Sequence, residues 1–267
     1  MRVRVPEAAA IERLAATADR AGLFFDFDGT LAPIRVDPDA VWPTPGVVDA
    51  LTALTGLVRR VGVVSARPVA FLRSRLEPAQ GLVLHGYHGL QTVALDGTEV
   101  TDAAALPWIP VLSGLAERAA NELPRDVLVE RKPLSVALHY RAAPDLRPAV
   151  DEWAAAEFSR SGVRAQLGRM VVEMRPPIDR DKGSVIAEET RDLATAWYAG
   201  DDLSDLRAFE ALADREARTP GFAGVRAAVV NEETGQAVAE AADFVIGPPE
   251  AVPALLDRLV RALATGR

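Results

Sequence analysis

Short apolar runs alternate along this chain with longer stretches in which apolar residues recur every three or four positions. The first rhythm reads as buried strands and the second as amphipathic helices, so their alternation predicts an α/β fold with a parallel sheet. The spacing predicts helix over 6–19, a buried strand from Gly22 to Phe27, helix over 46–58, and strands over 60–64 and from Gly81 to Leu84. QTVALDGTEV reads as a hairpin turning at Asp96-Gly97. The rhythm then changes. A helix at about 108–123 precedes the strand pair DVLVERK and LSVALHYR; a helix at about 145–161 precedes the pair VRAQL and MVVEMR, turning at Gly168-Arg169. Polar and apolar positions alternate in these strands, which predicts a sheet with one open face. Residues 104–178 therefore read as a small domain inserted between the core segments 1–103 and 179–267. From Lys182 the α/β rhythm resumes: helix 182–193, strand 195–199, helix 203–213, a loop from Asp214 to Gly224, strand 225–230, helix 233–240, strand 242–246 and a last helix.

Composition narrows the function. The 267 residues carry 30 Lys+Arg against 38 Asp+Glu, a net charge of −8, which argues against a nucleic-acid partner. Cysteine is absent, so thiolate metal sites and disulfides are excluded. No segment has the ~20 apolar residues of a membrane span, and the first twenty residues lack a signal-type apolar core. The expectation is a cytoplasmic monomer acting on a small molecule. Only Lys132 and Lys182 are lysines. In a chain so biased to arginine, this marks two positions that need a compact ammonium rather than a planar fork.

The chemistry concentrates at strand ends. Asp26-Phe27-Asp28-Gly29-Thr30-Leu31 follows an apolar strand, where open α/β sheets bind ligands. A carboxylate there can attack phosphorus and form an acyl-phosphate; its neighbour can serve as acid and then base. Gly29 and Thr30 are expected to leave backbone N–H groups free for phosphoryl oxygens. Ser65, ending RVGVV, is placed to offer a hydroxyl and an N–H to phosphate, with a helix N-cap as the plain alternative. Lys182 opens a helix and suits a phosphoryl group as a point charge. Gly200-Asp201-Asp202 with Asp205 follows another apolar strand; hard oxygen ligands without cysteine fit Mg2+ rather than Zn2+. A capping run of aspartates is the alternative there. In the inserted block, Glu130, Lys132, Glu173 and Arg175 alternate with apolar residues, which sets acids and bases on one face able to hydrogen-bond several hydroxyls. A surface salt-bridge ladder is the plain alternative for Arg141 and Arg175. Of His139 and Tyr140, one must face the helices of the block. Trp42, Trp108, Trp153 and Trp197 read as packing residues.

In order, DFDGTL, Ser65, Lys182 and the acidic GDD with Asp205 resemble the four motifs of the haloacid dehalogenase-like phosphohydrolases. ERK, SVALHYR and VEMRP in the inserted block resemble the trehalose-6-phosphate phosphatase family, as do DFDGTLAPI and His88-Gly89. The resemblance implies a Rossmann-like core with a C2-type α/β cap. It implies Asp26 as nucleophile and Asp28 as acid/base. Gly29, Thr30, Ser65 and Lys182 would hold phosphate. Asp26, the Asp28 carbonyl and Asp201 would hold Mg2+, and Arg67, His88, Glu130, Lys132, Arg141, Glu173 and Arg175 would bind the sugar. The implied activity is hydrolysis of trehalose 6-phosphate, completed by cap closure. Competing readings are a phosphatase of a pseudo-disaccharide or glycosyl-glycerate phosphate, a phosphomutase, and a non-catalytic carbohydrate sensor. Ala66, Gln91 and the NEETGQA segment depart from the family pattern.

Overall fold

Alternate residues of the first strand point to opposite faces, and in Leu23, Phe24 and Phe25 both faces are apolar, which only a sheet covered on both sides can satisfy. A computed structural model of the chain describes residues 4–77, 79–168, 170–231 and 234–265. The proposed turn residue Arg169, and Glu232 and Glu233 of NEETGQA, lie outside the described residues.

The chain divides into two units, residues 1–100 with 180–267, and residues 101–179. The first unit begins with α1 (Glu7–Ala15), β1 (Ala21–Phe25), α2 (Val47–Thr55), β2 (Arg60–Val64), α3 (Val69–Leu76), β3 (Leu82–Gly86), β4 (Gln91–Val93) and β5 (Glu99–Thr101). The second unit contains α4 (Ile109–Glu122), β6 (Leu128–Lys132), β7 (Ser135–His139), α5 (Arg147–Ser161), β8 (Arg164–Gly168) and β9 (Val171–Arg175). The chain then returns to the first unit through α6 (Lys182–Glu189), β10 (Thr195–Gly200), α7 (Leu206–Arg218), β11 (Ala223–Val229), α8 (Gln236–Ala241), β12 (Phe244–Ile246) and α9 (Val252–Thr265).

The first unit is an eight-stranded sheet in the order β12-β11-β10-β1-β2-β3-β4-β5. From β12 to β3 the pairings are parallel, and β4 turns antiparallel against β3. Leu23, Phe25, Val61, Val63 and Trp197 pack with α1, α2 and α9, while Phe24, Val64 and Tyr198 pack with α6 and α7. Strands β1 and β10 are central neighbours in register, Phe25 opposite Ala199, so their carboxyl ends bring Asp26 and Asp201 side by side.

The second unit is an antiparallel sheet in the order β6-β7-β9-β8, its two hairpins joined through β7 and β9. Val136, Leu138, Val172 and Met174 pack against Leu112 and Leu115 of α4 and Val150 and Ala154 of α5. Strand alternation puts Glu130, Ala137, Glu173 and Gln166 in one row on the opposite face, and Lys132, Ser135, Arg175 and Arg164 in the next. Tyr140 lies in the apolar cluster, so it is the member of its pair that joins the core.

Two expectations need correction. The loop expected from Asp214 to Gly224 is helical through Arg218. Tertiary contacts sustain this last turn: Arg215 donates to the Arg191 and Leu193 carbonyls, and Glu216 pairs with buried Arg226 at 3.1 Å. Trp42 is not a core residue; it is 57% exposed, and its ring instead covers the Arg75 guanidinium at 4.1 Å.

Candidate active site

The β1 ladder continues one residue past the strand, Asp26 donating its N–H to the Ala199 carbonyl at 2.9 Å. The chain then doubles back: Leu31 and Ala32 donate to the Phe27 carbonyl, and Gly29 donates to the Ala32 carbonyl at 2.7 Å. Gly29 has φ +79°, and a Cβ there would collide with the Asp201 carboxylate, so only glycine fits. This turn corrects two expectations. The Gly29 N–H is consumed inside the turn and the Thr30 N–H points to the Phe27 carbonyl at 3.4 Å. Thr30 contributes its hydroxyl instead, donating to Asp201 Oδ1 at 3.2 Å. The Ser65 N–H is likewise used, donating to the His85 carbonyl in the sheet, while Ser65 Oγ accepts from the Arg67 N–H at 3.1 Å. A strand-end residue keeps its ladder bond, so its hydroxyl is what it has to offer.

Lys182 is buried where α6 begins, capped by a reciprocal bond between Asp181 and Ser184. Its Nζ lies 2.8 Å from Asp26 Oδ1 and 2.7 Å from Asp205 Oδ1. Asp205 is fully enclosed. Its Oδ1 also accepts from Tyr198 Oη at 2.7 Å, and its Oδ2 accepts from the Asp201 and Asp202 N–H groups at 3.0 and 2.9 Å. Gly200 makes room for it, since a Cβ there would meet the Asp205 side chain. Asp205 is therefore an organiser of Lys182 and the GDD turn, and Asp202 caps the turn through Leu203. That leaves Asp201 as the acid of this run aimed at Asp26.

Carboxylate oxygens of Asp26, Asp201 and Asp205 lie within 4.8 Å of one another, all three residues buried. Burial alone lowers the Lys182 ammonium, but the Asp205 and Asp26 carboxylates outweigh it and hold Lys182 above the usual lysine range. Burial pushes Asp26 well above the usual carboxylate range; Lys182 opposes this, and Asp205 and Asp201 add to it. Burial and then the Asp205 charge push Asp201 up to about 8. One ammonium thus faces three buried carboxyl groups, and further positive charge is needed for all of them to ionise together. A hard divalent cation fits this oxygen donor set, and Asp26 and Asp201 offer the carboxylates for it.

Arg67 grips Asp28 with two parallel bonds, Nε to Oδ2 at 2.9 Å and Nη2 to Oδ1 at 2.7 Å, its guanidinium stacked 4.4 Å from the Phe71 ring centre. At the end of β3, Tyr87 and His88 both have positive φ, 49° and 55°, an uncommon pair of non-glycine residues in the left-handed region. Their N–H groups fasten this bend to the Arg67 and Ser65 carbonyls. The bend carries buried His88 past the strand end. His85 is held between Thr92 and Glu189, which makes it a structural residue.

On the open face of the second unit, Glu130 accepts from His139 Nε2 at 2.9 Å, and Lys132 lies 3.4 Å from Glu130 and 3.5 Å from Glu173. Ser135 Oγ donates to Glu173 at 2.8 Å, and Arg175 donates to Gln166 at 2.6 Å. Arg141 follows Tyr140 just after β7. Sequence reasoning missed Tyr198, Asn231, Ser135 and Gln166. For Ser135 and Gln166 the alternation itself was the available signal; each shares a row with a residue already chosen.

A family model described as Trehalose-phosphatase matches residues 24–243. A trehalose-phosphate phosphatase of Mycobacterium marinum is 38% identical over 261 residues, covering 93% of this chain and 64% of that protein. One from Mycobacterium tuberculosis is 36% identical over 258 residues, with 92% and 63% covered. The chain thus spans a little under two thirds of these relatives' length. Among solved structures, the C-terminal domain of a C. albicans trehalose-6-phosphate phosphatase matches with a TM-score of 0.79 at 21% identity over 98% of each chain. A haloacid dehalogenase-like hydrolase of Bacteroides thetaiotaomicron matches with a TM-score of 0.61 at 15% identity, over 90% of this chain and 99% of that one. With the family match running from β1 past the last strand-end residues of the site, the chain belongs to the trehalose-phosphatase family and has a haloacid dehalogenase-like α/β fold.

Proposed function

We propose that this protein hydrolyses trehalose 6-phosphate to trehalose and phosphate. The observation that carries the reading is Asp26 at the end of β1, buried against Lys182 at 2.8 Å in a chain of this family. Asp26 attacks phosphorus in line with the departing sugar oxygen, forming an aspartyl-phosphate. Asp28, freed from Arg67, gives that oxygen its proton and later takes one from the water that cleaves the aspartyl-phosphate. Lys182 and the Ser65 hydroxyl hold phosphoryl oxygens and offset the charge that spreads over them. Asp26, Asp201 and the Asp28 carbonyl would hold Mg2+, which when bound offsets repulsion between the Asp26 carboxylate and a phosphate dianion.

For the sugar we propose the polar face of the second unit, with Glu130, Lys132, Glu173, Arg175 and Arg141; within the first unit we propose Arg67 and His88 as sugar-binding residues. A disaccharide has many hydroxyls and no flat aromatic group to stack, so its recognition requires a dense array of charged acceptors and donors. A ligand lacking those hydroxyls leaves the array unpaired, which supports selectivity. Among the described residues no helix is long and apolar enough to cross a membrane.

The test is phosphate release with Mg2+ across a panel of sugar phosphates. Wild type should release phosphate selectively from trehalose 6-phosphate. Glu130→Ala and Lys132→Ala should lose about 1–3 kcal/mol of discrimination each, through unpaired hydroxyls. Preference for another sugar phosphate would retain the reaction and discard this substrate.

A further inference from the structure

One residue beside the acidic cluster has no part in the mechanism above. Asn231 lies two residues past β11, and its side chain is clamped from its own loop. Its Oδ1 accepts from the Thr234 N–H at 3.0 Å, while its own N–H donates to Thr234 Oγ1 at 3.1 Å. Thr234 Oγ1 in turn donates to the Val229 carbonyl at 3.1 Å, anchoring the loop to the strand. Because Oδ1 must face the Thr234 N–H, the amide NH2 has one direction left. It donates to Asp201 Oδ2 at 3.1 Å and reaches the Gly29 carbonyl at 3.4 Å.

Asp201 is thereby gripped at both oxygens by neutral donors, Thr30 on Oδ1 and Asn231 on Oδ2. Thr30 belongs to the nucleophile turn and Asn231 to the β11 loop, so the two donors fix Asp201 from opposite sides. A neutral donor orients a carboxylate without cancelling the charge that a cation needs. An arginine or lysine at the same place would compete with the cation. The amide also ties the Gly29 carbonyl to Asp201, holding together the two loops that carry Asp26 and Asp201.

We infer that Asn231, set by Thr234, is a positioning residue that pre-orients Asp201 and so determines how tightly the site takes a divalent cation. The inference rests on Asp201 being a cation ligand. Groups that orient ligating carboxylates typically contribute 10–100-fold to metal affinity.

The experiment is calorimetric titration of the full chain with Mg2+, for wild type, Asn231→Ala and Thr234→Val, beside thermal melting in EDTA. Asn231→Ala should bind Mg2+ roughly 10- to 100-fold more weakly. Its turnover should recover as Mg2+ is raised, with KM for the sugar phosphate unchanged at saturating Mg2+. Thr234→Val keeps the shape of the side chain and loses the hydroxyl that anchors the Asn231 clamp; it should shift Mg2+ affinity the same way by less. Unchanged Mg2+ affinity in folded Asn231→Ala, or in Thr234→Val if that variant alone folds, overturns the inference. A lower melting point with unchanged Mg2+ affinity assigns Asn231 a merely structural role and also overturns it. Wild type that binds no Mg2+ overturns the cation reading of Asp201 itself.

Discussion

Lys182 sits buried beside a cluster of three aspartates, Asp26, Asp201 and Asp205. Its two nearest partners are Asp26 and the organiser Asp205, and both contacts are under 3 Å. Replacing it by methionine strands two buried carboxylates. Removing one partner of a buried pair commonly costs about 3–5 kcal/mol. Lys182→Met should therefore lower the denaturant midpoint strongly in Mg2+-free buffer as well as abolish phosphate release. A variant as stable as wild type would mean that Asp26 and Asp205 are not charged when the cation is absent. The importance of Lys182 was legible in the sequence because lysine is so rare here. The bonds of Gly29 and Thr30 were not: a turn's internal N–H pairing depends on where the chain goes four residues later. Asn231 was not legible either, since its target, Asp201, sits 30 positions away in sequence and meets it only through the pairing of β10 with β11.

At the scale of elements, a polar cluster fastens the start of β2 to the turn that leads from α6 into β10. Arg59 reaches Asp192 at 2.8 Å, and Arg60 reaches Asp192 at 2.9 Å and Glu189 at 3.2 Å. The Arg60 guanidinium, with help from Arg59 and against partial burial, holds Asp192 down at about 2. A depressed carboxyl adds stability above its unfolded pKa of about 3.9 and loses it as pH falls through the folded value. Asp192→Asn should thus be less stable than wild type at pH 7, by under about 1 kcal/mol because the pair is partly exposed. The gap should narrow between pH 4 and 2 in chemical denaturation; a gap that stays constant over that window would show that charge is not its source. Element types were readable from the two rhythms, and the strand over 60–64 has the same ends in the structure. The extra turn of α7 was not readable: Asp214 looks like a stop, and what carries the helix past it is Arg215 reaching across to the end of α6.

For the whole molecule, the chain interrupts a parallel sheet to build a second unit with its own apolar cluster and then returns to the same sheet. That order leaves the chemistry on strand ends drawn from distant parts of the sequence, Asp26 from β1, Ser65 from β2, Asp201 from β10 and Asn231 from β11. It leaves the second unit's polar face with a network of two acids, a lysine and a histidine. One-faced strands alternate polar and apolar residues where two-faced strands do not, which is why the sequence shows a change of rhythm near the second unit, which begins at Thr101. The proposed reaction begins with attack by Asp26 on phosphorus. The most direct measurement is phosphate release from trehalose 6-phosphate, with Mg2+, by wild type and Asp26→Asn. Wild type should release phosphate, and Asp26→Asn should lose at least ~1,000-fold of that rate while its melting shows a folded protein. Wild-type rates in folded Asp26→Asn would contradict attack by Asp26.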